Sequence, residues 1–366
     1  MLSALQRLLP MAEKVVDRRT SLPILKQICV QKGKARVTDL ETMLVIPVPD
    51  KRSYTMPVQL LKKVLTTRPS SLEILLEENG KASVQYDGQR LTFQSKDVAE
   101  FPAIIDREFE SLGVWPREVL QTLLSMSSYA SQDELKPSLN GIFIEEKNGH
   151  LEASATDGHV LRLEQELVVK DGTPFKCIIP VKPLQVLARW ARGDTRVGMS
   201  QTHLRFSLPG KVVLYTRIIN EKYPEIKSVI PAEDTFTGKA ILDREKALTL
   251  VNAAKPFLEK PANLSILSLN GQISQILVEN TEENTQWQAD LPVGEHDGQG
   301  IRIGFDLTLL EKALKGLEGD QVLWCYTAPV SASVFRNIEE QNGSLTLLMP
   351  IRITEEEVTH EQERGD

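Results

Sequence analysis

The sequence predicts an α+β fold in which three similar domains follow one another along the chain. Its 366 residues exceed what one hydrophobic core usually serves, so two or three domains are expected. Two helical patterns each occur three times, and stretches of alternating apolar and polar residues lie between them. Each repeated segment is therefore predicted to be an α+β unit.

The helices come from two recurring patterns. The first is LSALQRLL at 2–9, REVLQTLL at 117–124 and REKALTLV at 244–251. The second, with an apolar lead-in and leucines at helical spacing, is MPVQLLKKVL at 56–65, IPVKPLQVLA at 179–188 and FDLTLLEKAL at 305–314. Pro57, Pro180 and Asp306 hold the same place in the second pattern, about 125 residues apart, which is a domain-sized period.

The strands are predicted from period-two alternation that is interrupted at glycine turns. The clearest runs are KASVQYDGQRLTFQS at 81–95 and HLRFSLPGKVVLYTR at 203–217, both typical of antiparallel strands. FPAI at 101 and YPEI at 223 precede loop-rich stretches that we interpret as domain joints. The predicted domains are 1–110, 111–234 and 235–354, followed by an acidic tail at 355–366 with disorder-prone composition.

Composition favours a soluble, cytoplasmic protein. Hydrophobic residues make up 41% and charged residues 25%, the first helix lacks the apolar run of a signal peptide, and no stretch approaches the roughly 18 apolar residues of a membrane span. Cys29, Cys177 and Cys325 each lie in an apolar run and are predicted to be reduced core thiols. No CxxC, HxH or HExxH spacing occurs, so no metal is expected.

The sequence also lacks the motifs of the common enzyme classes. There is no GxxxxGK[ST] phosphate loop and no GxSxG elbow, and GQGIRIG at 298–304 has the wrong glycine spacing for a dinucleotide site. We therefore expect no cofactor, no catalytic residue and no enzymatic activity.

The charge is distributed unevenly along the chain. The formal net charge is −7, yet the six predicted helices carry about +9 while the strands and loops carry about −16. A surface built from these helices would attract phosphates in a sequence-independent, salt-sensitive way. The alternative is that the helical cations form ordinary solvated faces.

Five short strings carry a family resemblance. They are SLPIL at 21–25, TDLE at 38–41, SLNG at 138–141, ATDGH at 155–159 and LLMPIRI at 347–353. In this order the chain resembles the bacterial DNA polymerase III beta subunit, the sliding clamp family. The resemblance implies a DNA-clamp fold of three similar domains, each with two helices packed on antiparallel sheets. It also implies a head-to-tail ring dimer around double-stranded DNA that acts as a non-catalytic processivity factor.

The resemblance assigns several polar and basic residues to the DNA-facing side of the ring, namely Arg7, Arg19, Gln132, Lys136 and Lys182. Positive charge alone adds a second group to this DNA-facing set. For these residues, a surface position without any role in DNA binding is an equally good explanation: Lys62, Lys63, Arg68, Arg189 and Arg192.

The resemblance further implies a hydrophobic cleft between the second and third domains. It would bind short apolar peptides from DNA polymerases, the clamp loader and repair proteins. The matching positions are Leu139, Thr156, Gly158, His159, Leu161, Pro224, Val229, Leu347, Met349, Pro350, Ile351 and Arg352. We interpret ATDGH as a tight turn, with Gly158 supplying backbone freedom and Asp157 bonding the turn, so His159 is a groove wall rather than a general base. Leu348 should face the core by strand alternation.

Ring closure in the family joins the first domain of one chain to the third domain of another. The strand QRLTFQS places Leu91 and Phe93 at that contact, and the partner strip should lie at 254–258, with Phe257 and Leu258. Here the strip reads AKPFL, and Met1 already falls at the first helix, where the family has a preceding strand. These departures keep open a second hypothesis, a monomeric peptide-binding paralogue that does not close a ring.

Two further departures concern the cleft. Val160 and Ser228 stand where the family has arginines, so the groove would lose two cations and its partner preference would differ. The acidic tail at 355–366 follows the last cleft residue closely, and we hypothesise that it competes with or screens peptides there.

Overall fold

The computed structural model describes residues 1–77, 80–103, 108–187, 193–270, 273–339 and 343–353. The helices are α1 (Leu2–Val15), α2 (Val58–Thr66), α3 (Arg117–Met126), α4 (Val181–Leu187), α5 (Arg244–Ala254) and α6 (Leu307–Lys315). All six occur where the two recurring patterns predicted them, because the leucines of each pattern bury one face while polar residues cover the other. The six helix predictions are confirmed.

The strands follow in chain order. They are β1 (Gln27–Gln31), β2 (Lys34–Thr38), β3 (Thr42–Pro47), β4 (Tyr54–Pro57), β5 (Glu73–Leu76), β6 (Lys81–Tyr86), β7 (Gln89–Gln94), β8 (Glu110–Trp115), β9 (Gly141–Lys147), β10 (His150–Thr156), β11 (Val160–Val168), β12 (Lys176–Pro180), β13 (Thr195–Met199), β14 (His203–Leu208), β15 (Val212–Arg217), β16 (Gly238–Asp243), β17 (Leu264–Asn270), β18 (Ile273–Asn280), β19 (Thr285–Asp290), β20 (Val293–Gly298), β21 (Ile301–Asp306), β22 (Gln321–Tyr326), β23 (Ser333–Asn337) and β24 (Leu345–Leu348). The predicted antiparallel pairs β6–β7 and β14–β15 are both present.

The chain forms two compact units. Unit 1 comprises Met1–Ser127, Gly141–Leu151 and Leu167–Glu221, and unit 2 comprises Ser128–Asn140, Glu152–Glu166 and the chain from Lys222 onward. These units do not follow the three predicted domains one for one. The division into 1–110, 111–234 and 235–354 stays a prediction, and the tail at 355–366 lies outside the described residues.

Unit 1 contains an eight-stranded antiparallel sheet in the order β4-β1-β2-β3-β15-β14-β13-β8 and a three-stranded sheet in the order β5-β6-β7. Strand β12 pairs with β9, and α1 packs against both α2 and α4. The largest core side chain is Trp115, which stacks on Phe175 at 6.1 Å and meets Phe206 edge-on at 6.0 Å. Burial of these large rings stabilises the core of the unit.

Unit 2 combines the strand order β11-β24-β23-β22-β16-β20 with a four-stranded sheet in the order β19-β18-β17-β21. Helices α5 and α6 pack against each other. The core is aromatic, because Trp324 stacks on Phe335 at 6.1 Å and meets Phe305 at 6.2 Å. Mixed helices and antiparallel sheets in both units confirm the α+β class.

The three cysteines are free and buried, as predicted. Burial raises the pKa of the Cys177 thiol to about 12 and that of Cys325 to about 11, and it also raises the pKa of Cys29. Thiols held in the neutral form in this way behave as small apolar core residues.

Candidate functional site

The ATDGH segment forms the predicted turn between β10 and β11. Gly158 has φ +98°, a backbone conformation that glycine adopts without strain. The Thr156 hydroxyl accepts from the Gly158 N–H at 3.0 Å and donates to the Val160 carbonyl at 2.8 Å. Asp157 Oδ1 accepts from the His159 and Val160 N–H groups at 2.9 and 3.0 Å. The side chains of Thr156 and Asp157 therefore form hydrogen bonds with the backbone groups of the turn, which confirms the turn prediction.

The LLMPIRI segment lies directly beside this turn. Strand β24 pairs antiparallel with β11, with Leu348 opposite Val160 and Leu347 opposite Leu161. One residue past the strand, the Met349 N–H donates to the His159 carbonyl at 2.9 Å. The Ile351 N–H then donates to the Gly304 carbonyl of β21 at 2.8 Å. Backbone hydrogen bonds thus join the two segments that hold most of the predicted groove residues.

The predicted groove residues differ in how much surface they offer. Met349 is 41% exposed and Val229 is 55% exposed, which places both among the exposed apolar side chains of the described residues. Also exposed are Gly158, His159, Pro224 and Arg352, whereas half-buried positions are Leu139, Pro350 and Ile351. Thr156, Leu161 and Leu347 are buried. The exposed and half-buried members are the ones that a ligand could contact without rearrangement.

The side chains of Leu347 and Leu348 point to opposite faces of β24, yet both are buried. Exposure therefore does not distinguish a groove residue from a core residue at these two positions. The prediction that Leu348 faces the core agrees with its full burial. Leu347, predicted as groove lining, is 3% exposed, so packing accounts for it equally well.

A polar network that the sequence analysis missed lies around the turn. The Arg162 guanidinium donates through Nε to Glu164 Oε1 at 2.7 Å and through Nη1 to Thr346 Oγ1 at 3.1 Å. Lys312 Nζ lies 3.5 Å from Asp157 Oδ2. Sequence reasoning had no signal for these pairs, because Arg162 and Thr346 are 184 residues apart and Lys312 and Asp157 are 155 apart.

Basic residues of the predicted DNA-facing set gather in unit 1 where α1 contacts α2 and α4. Lys62 Nζ pairs with Glu13 Oε1 at 2.7 Å, and Lys182 pairs with Asp39 and donates to the Val15 carbonyl at 2.9 Å. Two of the predicted phosphate-binding cations therefore have carboxylate partners, which lowers the local positive charge.

The other members of that set are surface residues where they can be described. Exposed side chains are Arg7, Arg19, Lys63 and Arg68 in unit 1, and Gln132 and Lys136 in unit 2. Arg189 and Arg192 lie outside the described residues.

The residues predicted at the dimer contact lie on two separate elements. In unit 1, β7 is an edge strand that carries half-buried Leu91 and buried Phe93. In unit 2, Phe257 ends a short 3-10 helix over Lys255–Phe257 and stacks on Trp287 with ring centroids 6.3 Å apart, and the half-buried Leu258 follows. An edge strand offers unpaired backbone groups that a second chain could bind.

Within the described residues, no group of three or more His, Cys, Asp or Glu side chains is arranged to hold a metal ion. No helix in the described part of the chain is long and apolar enough to cross a membrane.

Comparison with known proteins points to one family. The family model for the DNA polymerase III beta subunit, central domain, matches residues 116–225. The beta sliding clamp of Haemophilus influenzae is 25% identical over 360 residues, covering 93% of this chain and 95% of that protein. The beta sliding clamp of Pseudomonas aeruginosa is 24% identical over 368 residues, covering 96% and 98%.

Solved structures have the same fold. The DNA polymerase III beta subunit from Pseudomonas aeruginosa superposes with a TM-score of 0.86 at 24% identity, covering 96% of this chain and 98% of that one. The beta chain from Streptococcus pneumoniae reaches a TM-score of 0.88 at 17% identity, covering 95% and 97%. A sliding clamp from Bartonella birtlesii, solved bound to griselimycin, has a TM-score of 0.85 at 23% identity, covering 95% and 98%.

Proposed function

We propose that this chain is a member of the DNA polymerase III beta-subunit family and acts as a DNA sliding clamp. In this function it is a non-catalytic processivity factor that encircles duplex DNA and tethers the replicative polymerase and other DNA-processing proteins. The observation that carries the proposal is the likeness to beta sliding clamps across 93% to 96% of the chain, matched by the shared fold. This likeness also spans 95% to 98% of those two clamps, so it extends well beyond one domain.

The mechanism of a clamp is topological. A closed ring stays on DNA because it must open to leave, so it needs few contacts with the bases and can slide. We propose that two copies of this chain close head to tail, with Leu91 and Phe93 of one against Phe257 and Leu258 of the other. The edge position of β7 and the exposure of Phe257 support this pairing.

Sedimentation of the purified chain tests ring closure. A dimer of about 82 kDa, twice the 41.0 kDa chain, is expected. The dimer should be retained on nicked circular DNA and lost after the circle is cut. A strict monomer, or equal loss from both forms of DNA, would overturn the ring and favour a monomeric peptide-binding paralogue.

We propose a DNA-facing surface that comprises the basic residues of α1, α2 and α4 together with Arg19, Arg68, Gln132, Lys136, Arg189 and Arg192. Such contacts are sequence-independent, and each phosphate contact contributes about 0.9 to the slope of log affinity against log salt. Lys63→Glu should therefore weaken DNA binding and flatten that slope. Lys81→Glu, an exposed charge reversal on β6, is the matched control. A slope that Lys63→Glu leaves unchanged would remove Lys63 from the DNA surface.

We propose that partner proteins bind through short apolar peptides at a groove lined by residues of the ATDGH turn and of the adjoining LLMPIRI segment. The joined backbones and the exposed Met349 and Val229 support this assignment. A flexible, polarisable methionine adapts to different apolar partners, which suits a site that several proteins share.

We propose griselimycin as a probe of this groove, because clamps from Pseudomonas aeruginosa and Bartonella birtlesii have been solved bound to it. We expect calorimetry to detect griselimycin binding and a leucine-rich synthetic peptide to compete with it. Met349→Ala should weaken binding by about 5-fold, in line with truncation of an apolar contact of roughly 1 kcal/mol. Val168→Ala, another exposed apolar truncation, is the control. Equal binding by the Met349→Ala variant would place the griselimycin site elsewhere.

A further inference from the structure

Helix α6 contacts the ATDGH turn through one charged side chain. Lys312 lies in the last turn of the helix, and its Nζ is 3.5 Å from Asp157 Oδ2. Both side chains are 23% exposed, so water screens the pair less than it screens a pair on the open surface. The two residues are 155 positions apart in sequence, so tertiary packing alone creates this contact.

The Asp157 carboxylate is shared between the helix and the turn. Its Oδ1 accepts from the His159 and Val160 N–H groups, while its Oδ2 faces Lys312. Because the carboxylate is planar, a contact that holds Oδ2 also restricts Oδ1 and the two N–H groups bonded to it. The orientation of the turn is therefore coupled to the position of Lys312.

The turn also contacts the LLMPIRI segment, which contributes other residues to the proposed groove. The His159 carbonyl accepts from the Met349 N–H at 2.9 Å. A shift of the turn would consequently move the backbone that carries Met349, an exposed apolar residue of the groove. Coupling of this kind passes through hydrogen bonds that adjoin one another in space.

Lys312 itself is held by a buried tyrosine. The Tyr129 hydroxyl donates to the Lys312 carbonyl at 2.6 Å, and Lys312 Nζ lies 5.3 Å from the centroid of the Tyr129 ring. Gly316 caps the helix directly after Lys315, and an added Cβ there would lie only 2.0 Å from Tyr129 Oη. Glycine at this position thus leaves room for the hydroxyl that bonds the last turn of α6.

We propose that Lys312 is a positioning residue for the peptide groove, acting through Asp157 on the turn that carries His159 and on the backbone of Met349. The inference rests on the proposed function, since it assigns a supporting role for that same groove. Lys312 need not touch the ligand. The effect of Lys312 on ligand affinity should therefore require Asp157. The affinity contributed by a direct contact between Lys312 and the ligand would not require Asp157.

The test compares griselimycin binding by calorimetry among variants of the full chain. Lys312→Met keeps most of the aliphatic stem and removes the charge, and it should weaken binding by about 3- to 10-fold. Lys312→Arg should restore most of the affinity. Lys315→Met is the matched control, because Lys315 lies on the same helix and pairs with Glu311, which keeps Lys255 as a second partner.

A double-mutant cycle separates positioning from general destabilisation. Asp157→Asn keeps an oxygen for the turn but loses the ion pair, so Lys312→Met should have little further effect in that background. Thermal midpoints of the Lys312→Met and Lys315→Met variants should agree closely. Additive losses, or a loss that follows the thermal midpoint, would overturn the positioning role. Absence of binding by the unmodified chain would instead count against the proposed groove.

Discussion

Replacing Glu164 by Gln would leave the Arg162 guanidinium buried without a charged partner. The Arg162 side chain is 5% exposed and that of Glu164 is 11% exposed, and the two are joined through Nε at 2.7 Å as well as through Nη2. Thr346, which is fully buried, accepts a third hydrogen bond from Arg162, through Nη1 at 3.1 Å. The pair thus lies where water can reach neither charge easily.

The magnitude follows from this burial. Removing one partner of a buried ion pair costs about 3 to 5 kcal/mol, because the other charge stays desolvated. A glutamine can still accept a hydrogen bond from Arg162, so we expect the lower end, about 3 kcal/mol. At about 2 to 4 °C per kcal/mol for a domain of this size, the melting midpoint of unit 2 should fall by about 6 to 12 °C.

Differential scanning calorimetry and urea unfolding of the purified variant measure this loss. Asp194→Asn is the matched control, because it neutralises one partner of the exposed Lys170–Asp194 pair and should leave the unfolding midpoint unchanged. The double variant Arg162→Met with Glu164→Leu removes both charges and should recover most of the stability. A Glu164→Gln variant that loses less than about 1 kcal/mol would refute the reasoning that this pair is effectively desolvated.

Three further predictions follow from other parts of the chain. Burial raises the pKa of Cys177 to about 12, and the other two thiols are also buried, so Ellman's reagent at pH 8 should modify none in the native protein and three per chain in guanidinium. A hydrogen bond from Arg52 holds the pKa of Asp50 below its ordinary value. The ionised carboxylate therefore stabilises the fold at any pH above the ordinary pKa, and this stabilisation is lost as the pH falls through the lowered pKa of the folded state. Asp50→Asn should therefore flatten the acid limb of stability against pH, and an unchanged limb would contradict this. Gly316→Ala should displace the Tyr129 hydroxyl and cost about 1 to 3 kcal/mol in urea unfolding, whereas a neutral effect would mean that the hydroxyl moves freely.

Local chemistry explains why the sequence predicted the ATDGH turn correctly. Thr156, Asp157 and Gly158 act on backbone groups within four residues of themselves, so their order alone specifies the hydrogen bonds. The same holds for the six helices, whose apolar spacing repeats every three or four residues. Features with a range this short are readable without any knowledge of the fold.

Charge was harder to interpret from sequence. The excess of basic residues on the helices is real, but Lys62 and Lys182 are each paired with an acidic residue from another element, Glu13 and Asp39. A count of charges along a helix does not reveal which of them are neutralised by a neighbour in space. The proposed DNA surface is therefore less basic at these two points than the sequence suggests.

The sequence by itself determined the α+β class, the repeated helices, the buried thiols and the turn, because each depends on residue types at short and regular spacing. Only the tertiary structure decided that the two groove segments share backbone hydrogen bonds, that Arg162 meets Thr346, and that Lys312 meets Asp157. Arg162 and Thr346, and likewise Lys312 and Asp157, are more than 150 positions apart in the sequence. No local pattern encodes the packing of strands and helices that brings such residues together.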